Sequence, residues 1–465
     1  MLKVAQSLLS SKEIWPVVVV GGGPVGLIMA MSLAKQNIKT LLIDKKTDYC
    51  SGSRAICFSQ KTLEIFEDLG VLSEILKKGE SWSLSHTIFR EENVATLNYD
   101  DSRSDENLPS YINLQQYYLE EYLRSHLKDF DVLHALWGCE FINVEQKNEI
   151  NHLTVRHDNE FYKIQSSYVI AADGVYSSVR QKLGLEFTGK VFEEKFLVAD
   201  VKFESDRPSE RTFWFNPKFN PGKTALMLKQ PDNIWRIDFQ LGWDADVEAE
   251  KDPVNFEKRI KALLGRNIPI EIVWISVYTF QSRRLEKFRH GNIFFVGDAA
   301  HQFSPFGARG AKSGIQDADT LSQKLGLVLN KAADLGLIDT YHDERAEAAD
   351  INIRHTTRSL NFISPRTKMS KTFRDAVLSL SKNSPSLRKF INSGRLYSPD
   401  NFVNVHDEYY EAFLEAHQNL SEDESSFLNA SLVVLLADKL EKKEIIFDAI
   451  SHAKKALTVF NHLGE

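Results

Sequence analysis

The sequence predicts an α/β protein: a parallel-sheet domain interrupted by an inserted antiparallel sheet and followed by a helical C-terminal region. Three observations carry this. Near the start, VVVVGGGPVGLIMAMSLAK runs a β-branched stretch into a glycine-rich turn and then an apolar helix. From about residue 187 to 284, short runs such as RTFWF, KTALMLKQ and IWRIDFQL are separated by Pro, Gly, Asn and Asp, the rhythm of antiparallel strands. After Gly314, helical periodicity returns and persists through most of the remainder.

A chain of 465 residues that is 43% hydrophobic can bury a large core and divide into two or three units. Its net charge of −7 provides no general basic field, so neither nucleic acid nor an anionic membrane surface is expected as a partner. Cys50, Cys57 and Cys139 are odd in number and lack metal-ligand spacing, which predicts no disulfide framework and no metal, and suits a reducing cytoplasm. Residues 14–34 form 21 uncharged residues, long enough to span a bilayer. The glycines and Pro24 inside that stretch predict instead a buried strand turning sharply into a buried helix.

Val17 to Val20 are expected as a central parallel strand, Gly21 to Gly26 as a turn and Leu27 to Lys35 as a helix; KTLLID follows as a second strand ending at Asp44. In the turn, Gly21-x-Gly23-Pro24-Val25-Gly26 combines a tight bend, an open approach for a pyrophosphate, and close packing of helix on strand. The helix end offers free N–H groups and partial positive charge to phosphates. Asp44, eighteen residues past Gly26 and followed by Lys45, is placed to accept hydrogen bonds from ribose hydroxyls. At this point NAD and FAD are equally compatible with a Rossmann-like domain.

Residues 81–105 read as polar and irregular, and INLQQYYLEEYLRSHL as a helix with Leu119, Leu123 and Leu127 on one face. YVIAADGVYSSVR ends a strand at Asp173-Gly174 and continues into a helix N-cap. Far downstream, NIFFVGDAAHQFSPFGARGAKSG delivers Gly297 and Asp298 to a strand end. A loop with Pro305 then leads to a helix start at Gly310, Ala311, Lys312 and Ser313. An acid there can hold ribityl or ribose hydroxyls, and helix amides can meet the electron-rich edge of a flavin. A nicotinamide-only domain has no ordinary need of this second device, whereas an extended flavin cofactor does.

The three landmarks, in this order and spacing, resemble the group A flavin-dependent monooxygenases, which share the fold of para-hydroxybenzoate hydroxylase. SRAICFSQKTLEIFEDLGV, INLQQYYLEEYL, GARGAKSGIQDADTL and NSGRLYSP look like the 3-(3-hydroxyphenyl)propionate hydroxylase group. The likeness covers roughly the first 400 residues. It implies a discontinuous FAD-binding domain at residues 1–80, 106–186 and 285–365, and a substrate-binding β-sheet domain at 81–105 and 187–284. A helical extension would follow at 366–400, and a tail at 401–465 would stand where relatives carry a thioredoxin-like domain. Arg54 is similar to the family arginine near the FAD pyrophosphate, Gln115 to the glutamine that touches FAD, and Asp298 to the ribityl-binding acid. Asp173 and Gly174 look like the pair associated with FAD and pyridine nucleotide. Relatives commonly have asparagine where this chain has Lys312.

The implied chemistry is reduction of FAD by NAD(P)H, addition of dioxygen to form a flavin hydroperoxide, and transfer of one oxygen atom to a small phenol-like aromatic substrate. Such a pocket needs a base or proton relay. In IWRIDFQ, alternation sends Trp235, Ile237 and Phe239 to one face and Arg236, Asp238 and Gln240 to the other; the polar face looks either onto flavin and substrate or into solvent. Arg236, Asp238 and His301 are the candidate catalytic residues. Two alternatives stay open, a flavin oxidoreductase of the same fold with other chemistry and a non-catalytic FAD-binding protein. Assembly as a homodimer is also left open.

Overall fold

The computed structural model describes residues 7–50, 52, 54–102, 107–383 and short stretches between 388 and 453. Two eight-stranded sheets dominate it. In the first, Ile14–Val20 lies between Thr40–Asp44 and Glu160–Ala171, all parallel, with Leu133–Trp137 and Ile293–Phe295 extending the two sides. Val17, Val18 and Val19 are fully buried, as a central strand covered on both faces demands. The helix Pro24–Lys35 begins at Pro24, where the missing N–H costs nothing, and packs against Arg309–Leu329. A β-carbon on Gly26 would stand 1.8 Å from the Gly21 carbonyl oxygen, so this helix reaches its strand only because position 26 is glycine.

The second sheet runs in the order His301–Gln302, Glu271–Leu285, Phe187–Lys202, Ile234–Gln240, Thr224–Gln230, Arg211–Phe215, Leu84–Phe89 and Glu92–Asn98. The segment read as irregular thus supplies two strands, and a third, Glu80–Trp82, joins a small sheet with Cys57–Ser59 and Tyr111–Asn113. Along Leu84–Phe89 the buried positions are Ser85, Thr87 and Phe89, so alternation is present but two of its three inward residues are polar. Tyr111–Asn113 is likewise a strand, and the helix read from Ile112 starts at Gln116.

Both faces of the second sheet are covered. Trp235, Ile237 and Phe239 pack under the helix Pro253–Leu264 through Phe256, Ile260 and Leu263. The opposite face meets Phe306 from the first sheet's return loop, Tyr111 from the small sheet, and Leu360 and Phe362 from the helix Gly336–Ile363. Lys368–Ser381 continues the helical region behind a Thr367–Ser370 capping box. The NSGRLYSP motif falls outside the described residues, whereas 445–453 is helical.

Candidate functional site

The glycine turn is shaped as its spacing predicts. Gly21 has φ +111° and lies against the Ala172 carbonyl, a position and geometry closed to a side chain, while a β-carbon on Gly23 would meet nothing within 4 Å. The turn therefore leaves one open backbone approach between two closed ones. Asp44 braces it: Oδ2 accepts the Gly22 N–H at 2.5 Å and Oδ1 accepts the Lys46 N–H at 2.7 Å. Lys45, next to it, is exposed and lines a polar surface pocket with Glu140, Arg156 and Asp158.

The second landmark sits directly across from the first. Phe295 pairs with Ala171, and Gly297, at φ +59°, turns the chain so that Asp298 emerges with accessible surface. Protein surrounds Asp298 on its other sides, and this burial raises its pKa, while His301 and Arg54 pull it back down. Beneath the turn lies a buried hub. Asp317 accepts the Gly297 N–H at 2.9 Å, His301 Nε2 at 2.6 Å and Arg345 Nε at 2.6 Å. Burial opposes ionisation of Asp317, but the His301 and Arg345 charges outweigh it and hold its pKa at about 2. His301 is fully buried in this hub, stacked on Phe303 at 4.7 Å.

Arg309–Leu329 begins after Ala308, which takes the left-handed conformation at φ 50°. A β-carbon on Gly314 would approach Val25 to 2.8 Å and the Gly297 Cα to 2.9 Å, so the first turn of this helix lies against both landmarks at once. Gly310 faces open space, Pro305 is exposed, Ala311 is half-buried, and Lys312 and Ser313 are buried. The Lys312 ammonium stands over the Tyr111 ring at 5.3 Å.

Of the remaining residues expected at the cofactor, Asp173 Oδ2 accepts the Val179 N–H at 3.1 Å, and Gly174 turns at φ +78°. Arg180, seven residues on, links this turn to the Asp298 turn by donating to the Val175 and Ala299 carbonyls. Gln115 donates to the Pro231 carbonyl at 3.2 Å, and its buried Oε1 has no hydrogen-bond partner among the described residues. Arg54 is exposed, with its charge reaching Asp298 and Tyr278.

Arg236 is buried and Asp238 only partly exposed. Arg236 forms a two-point ion pair with Asp200, Nε to Oδ1 at 2.8 Å and Nη2 to Oδ2 at 3.0 Å, and Gln230 donates to the same Oδ1. Asp238 lies opposite Val198 on one side and Leu226 on the other, both members of the cluster that holds Phe196, Phe213, Phe280 and Phe306. It is half-buried, and its Oδ1 is enclosed without a hydrogen-bond partner among the described residues. Burial raises its pKa from 3.8 to about 6, with Asp200 adding to the rise and Arg236 and Arg211 opposing it. His301 belongs to the hub under the cofactor turn, on a different element from this pair.

Sequence reasoning missed Asp317, Arg345, Asp200 and Arg211. Asp317 lay within the quoted GIQDADTL motif, and the inward periodicity of the helix Arg309–Leu329 would have flagged it as a buried acid. Strand register alone sets Asp200 opposite Arg236 and Arg211 opposite Ser85, and the sequence carries no local signal for it.

These parts fit an FAD. The open approach at Gly23, the accessible Asp298 and the two helix ends lie at the two facing turns. A family model described as FAD binding domain matches residues 15–356. The chain belongs to the FAD binding domain family. A second model, described as a protein of unknown function, DUF2783, matches residues 392–455.

Within the family, the chain is 26% identical over 385 residues to a 3-(3-hydroxy-phenyl)propionate/3-hydroxycinnamic acid hydroxylase of Mycobacterium sp. (strain KMS), covering 81% of this chain and 64% of that one. It is 28% identical over 352 residues to the uncharacterized aromatic compound monooxygenase YhjG of Bacillus subtilis (strain 168), covering 74% and 68%. The chain thus spans less than two thirds of the length of the first of these relatives. The solved p-nitrophenol 4-monooxygenase PnpA from Pseudomonas putida DLL-E4 has the same fold, with a TM-score of 0.73 at 21% identity, covering 83% of this chain and 99% of that one. Flavin-dependent monooxygenase PieE, solved with FAD and substrate, gives 0.69 at 23% identity, covering 83% and 72%. The expected fold, a Rossmann-like domain with an inserted antiparallel sheet and a helical C-terminal region, is the observed one. No helix among the described residues is long and apolar enough to cross a membrane.

Proposed function

We propose that this chain is an FAD-dependent monooxygenase that uses NAD(P)H and dioxygen to hydroxylate a small phenol-like aromatic. The reading is carried by one observation: a carboxylate with a raised pKa, Asp238, lies between Val198 and Leu226, whose buried cluster also holds Phe306 of the loop after Asp298. The relatives' names support the substrate class. In this reading residues 1–80, 106–186 and 285–365 hold FAD, and residues 81–105 and 187–284 close the substrate side.

Bound FAD, once reduced by NAD(P)H, supplies the activation of dioxygen and the transfer of one oxygen atom. The chain's own groups do the rest. Gly23 and the helix end at Pro24 receive the pyrophosphate, Asp44 and Asp298 take hydroxyl groups of the cofactor, and Asp317 keeps the Gly297 turn in position. Phe196, Phe280 and Phe306 exclude water from the ring to be oxidised. Asp238, ionised above about pH 6, accepts the phenolic proton and raises electron density on the ring. Arg236 is held away from proton transfer by Asp200 and fixes the field around Asp238.

The test is NAD(P)H oxidation by purified, FAD-loaded protein, with and without a panel of phenols, with product mass as readout. Stimulated oxidation with a product carrying one added oxygen is expected. Bound FAD that no nicotinamide reduces with any phenol present would refute the reading and favour a binding protein.

A further inference from the structure

Trp274 is a residue of the second sheet that touches a segment of the first. It lies on Glu271–Leu285 opposite Asp200, which is itself opposite Arg236, so the indole shares a sheet face with that ion pair. The Arg236 guanidinium stands over the indole at 5.7 Å, and the Tyr278 ring, one turn of the pleat further, is 5.9 Å away. Backbone from the other sheet meets the same indole. A β-carbon on Gly52 would stand 2.6 Å from Trp274 Nε1, and Gly52 has φ +76°. Position 52 is therefore closed to a side chain by its conformation and by the indole together.

Gly52 belongs to the segment that joins Thr40–Asp44 to Cys57–Ser59. On both sides of Gly52 the segment hangs on the helix Gln116–His126. The Cys50 N–H donates to Glu120 Oε2 at 2.8 Å, the Ala55 N–H donates to Gln116 Oε1 at 3.3 Å, and Gln116 Nε2 closes the bracket by donating to Glu120 Oε1 at 2.9 Å. Arg124 of the same helix donates to the Thr47 and Asp48 carbonyls. Between the Cys50 and Ala55 anchors, Gly52 rests on Trp274, and Arg54 follows it, exposed, with its charge acting on Asp298 of the cofactor turn and on Tyr278 of the sheet. Glycine has more backbone freedom to lose than any other residue, so a surface that confines Gly52 also confines the arginine two residues on.

We propose that Trp274 is a positioning residue for the cofactor: by seating Gly52 it holds Arg54 toward the Asp298 turn, so that FAD is retained in part through a side chain of the second sheet. The inference rests on the FAD reading above. Trp274 acts through Gly52 and Arg54 and needs no contact of its own with the cofactor. Arg54, held there, meets the negative charge of the cofactor diphosphate, and a charge-assisted contact of this kind is lost when the guanidinium is free to wander.

The experiment measures FAD release from the loaded protein, as the rise in flavin fluorescence through a dilution series, for wild type, Trp274→Ala, Trp274→Phe, Arg54→Met and Trp274→Ala/Arg54→Met. Thermal unfolding of each is recorded alongside. Trp274→Ala and Arg54→Met are each expected to bind FAD about tenfold more weakly. The double variant is expected to bind no more weakly than Arg54→Met alone, because the indole acts only through the arginine. Trp274→Phe, which keeps a flat ring at the position, is expected to retain most of the affinity. Should Trp274→Ala not fold, Gly52→Ala takes its place in the same cycle, since it lifts the segment off the indole with the sheet intact. Wild-type affinity in Trp274→Ala or in Arg54→Met would overturn the proposal and leave the FAD reading standing. Losses that multiply in the double variant would also overturn it, since they mark a general loosening of the fold. A wild-type protein that takes up no FAD would remove both the proposal and the reading beneath it.

Discussion

Replacing Asp238 by asparagine should make the protein more stable and less active at once. The folded-state pKa of Asp238 is about 6 against an ordinary 3.8, so between those values the folded chain holds a proton that the unfolded chain has lost. Stability from this group is therefore fully present below pH 3.8 and falls as pH rises through 6. Two pKa units at roughly 1.4 kcal/mol each put the cost of keeping the carboxylate ionised and enclosed at about 3 kcal/mol at pH 7.5, and about half that at pH 5. Because Asp238 keeps some accessible surface, about 3 kcal/mol is an upper bound. Asparagine has nearly the same shape and no charge, so Asp238→Asn should recover much of that cost at pH 7.5 and less at pH 5. Urea unfolding at the two pH values reads the difference directly. The same variant should lose on the order of 10²-fold in turnover of a phenol, together with the limb of the pH profile that rises through about 6. A variant no more stable than wild type at pH 7.5, or one with an unchanged pH profile, would refute the picture of a carboxylate held ionised against burial for proton transfer.

Other outcomes follow from the same geometry. Asp317→Asn leaves His301 and Arg345 without their shared anion and should cost about 3–5 kcal/mol near neutrality. Since the pKa of Asp317 is lowered to about 2, that stabilisation is present above pH 3.8 and disappears as pH falls toward 2, which pH-dependent unfolding of wild type and variant would reveal. Arg236→Met strands Asp200 in the sheet and should destabilise by about 3–5 kcal/mol, with most of the loss recovered in Arg236→Met/Asp200→Asn; a double variant no better than the single one contradicts the pairing. Gly23→Ala should fold with an unchanged melting temperature and weakened FAD affinity, whereas Gly26→Ala, whose β-carbon collides with the Gly21 carbonyl, should fail to fold or to load FAD. Differential scanning fluorimetry with and without FAD distinguishes the two.

The cofactor half was legible because its chemistry is local. A turn that needs Gly21 and Gly26 announces itself within six residues, and Gly297-Asp298 is read from the strand that precedes it. The sheet half was legible only in rhythm. The inward residues include the polar Ser85 and Thr87, so hydrophobic periodicity could not reveal Leu84–Phe89 as a strand. The partner of Arg236 is set by the register of Phe187–Lys202 against Ile234–Gln240, a long-range pairing that no window of sequence contains. For His301, three residues past Asp298, sequence leaves a titrating group and a structural hydrogen bond both open, and the fold turns its ring inward onto Asp317.

The way the first sheet is completed bears on how the chain is made. Glu160–Ala171 has one edge paired with Ile14–Val20 early in synthesis, but its other parallel neighbour, Ile293–Phe295, emerges only after the whole inserted sheet has been translated. During that interval the last three residues, Val169 to Ala171, expose unpaired backbone groups on an edge that Ile150–His157 already covers from Glu160 to Ser166, and such an edge invites association with other chains. Non-local parallel pairing of this kind also slows folding. Heterologous expression should therefore give more soluble protein when translation is slowed or chaperones are raised, and the interruption that lets one chain build both halves of its site is also where its biogenesis is most exposed.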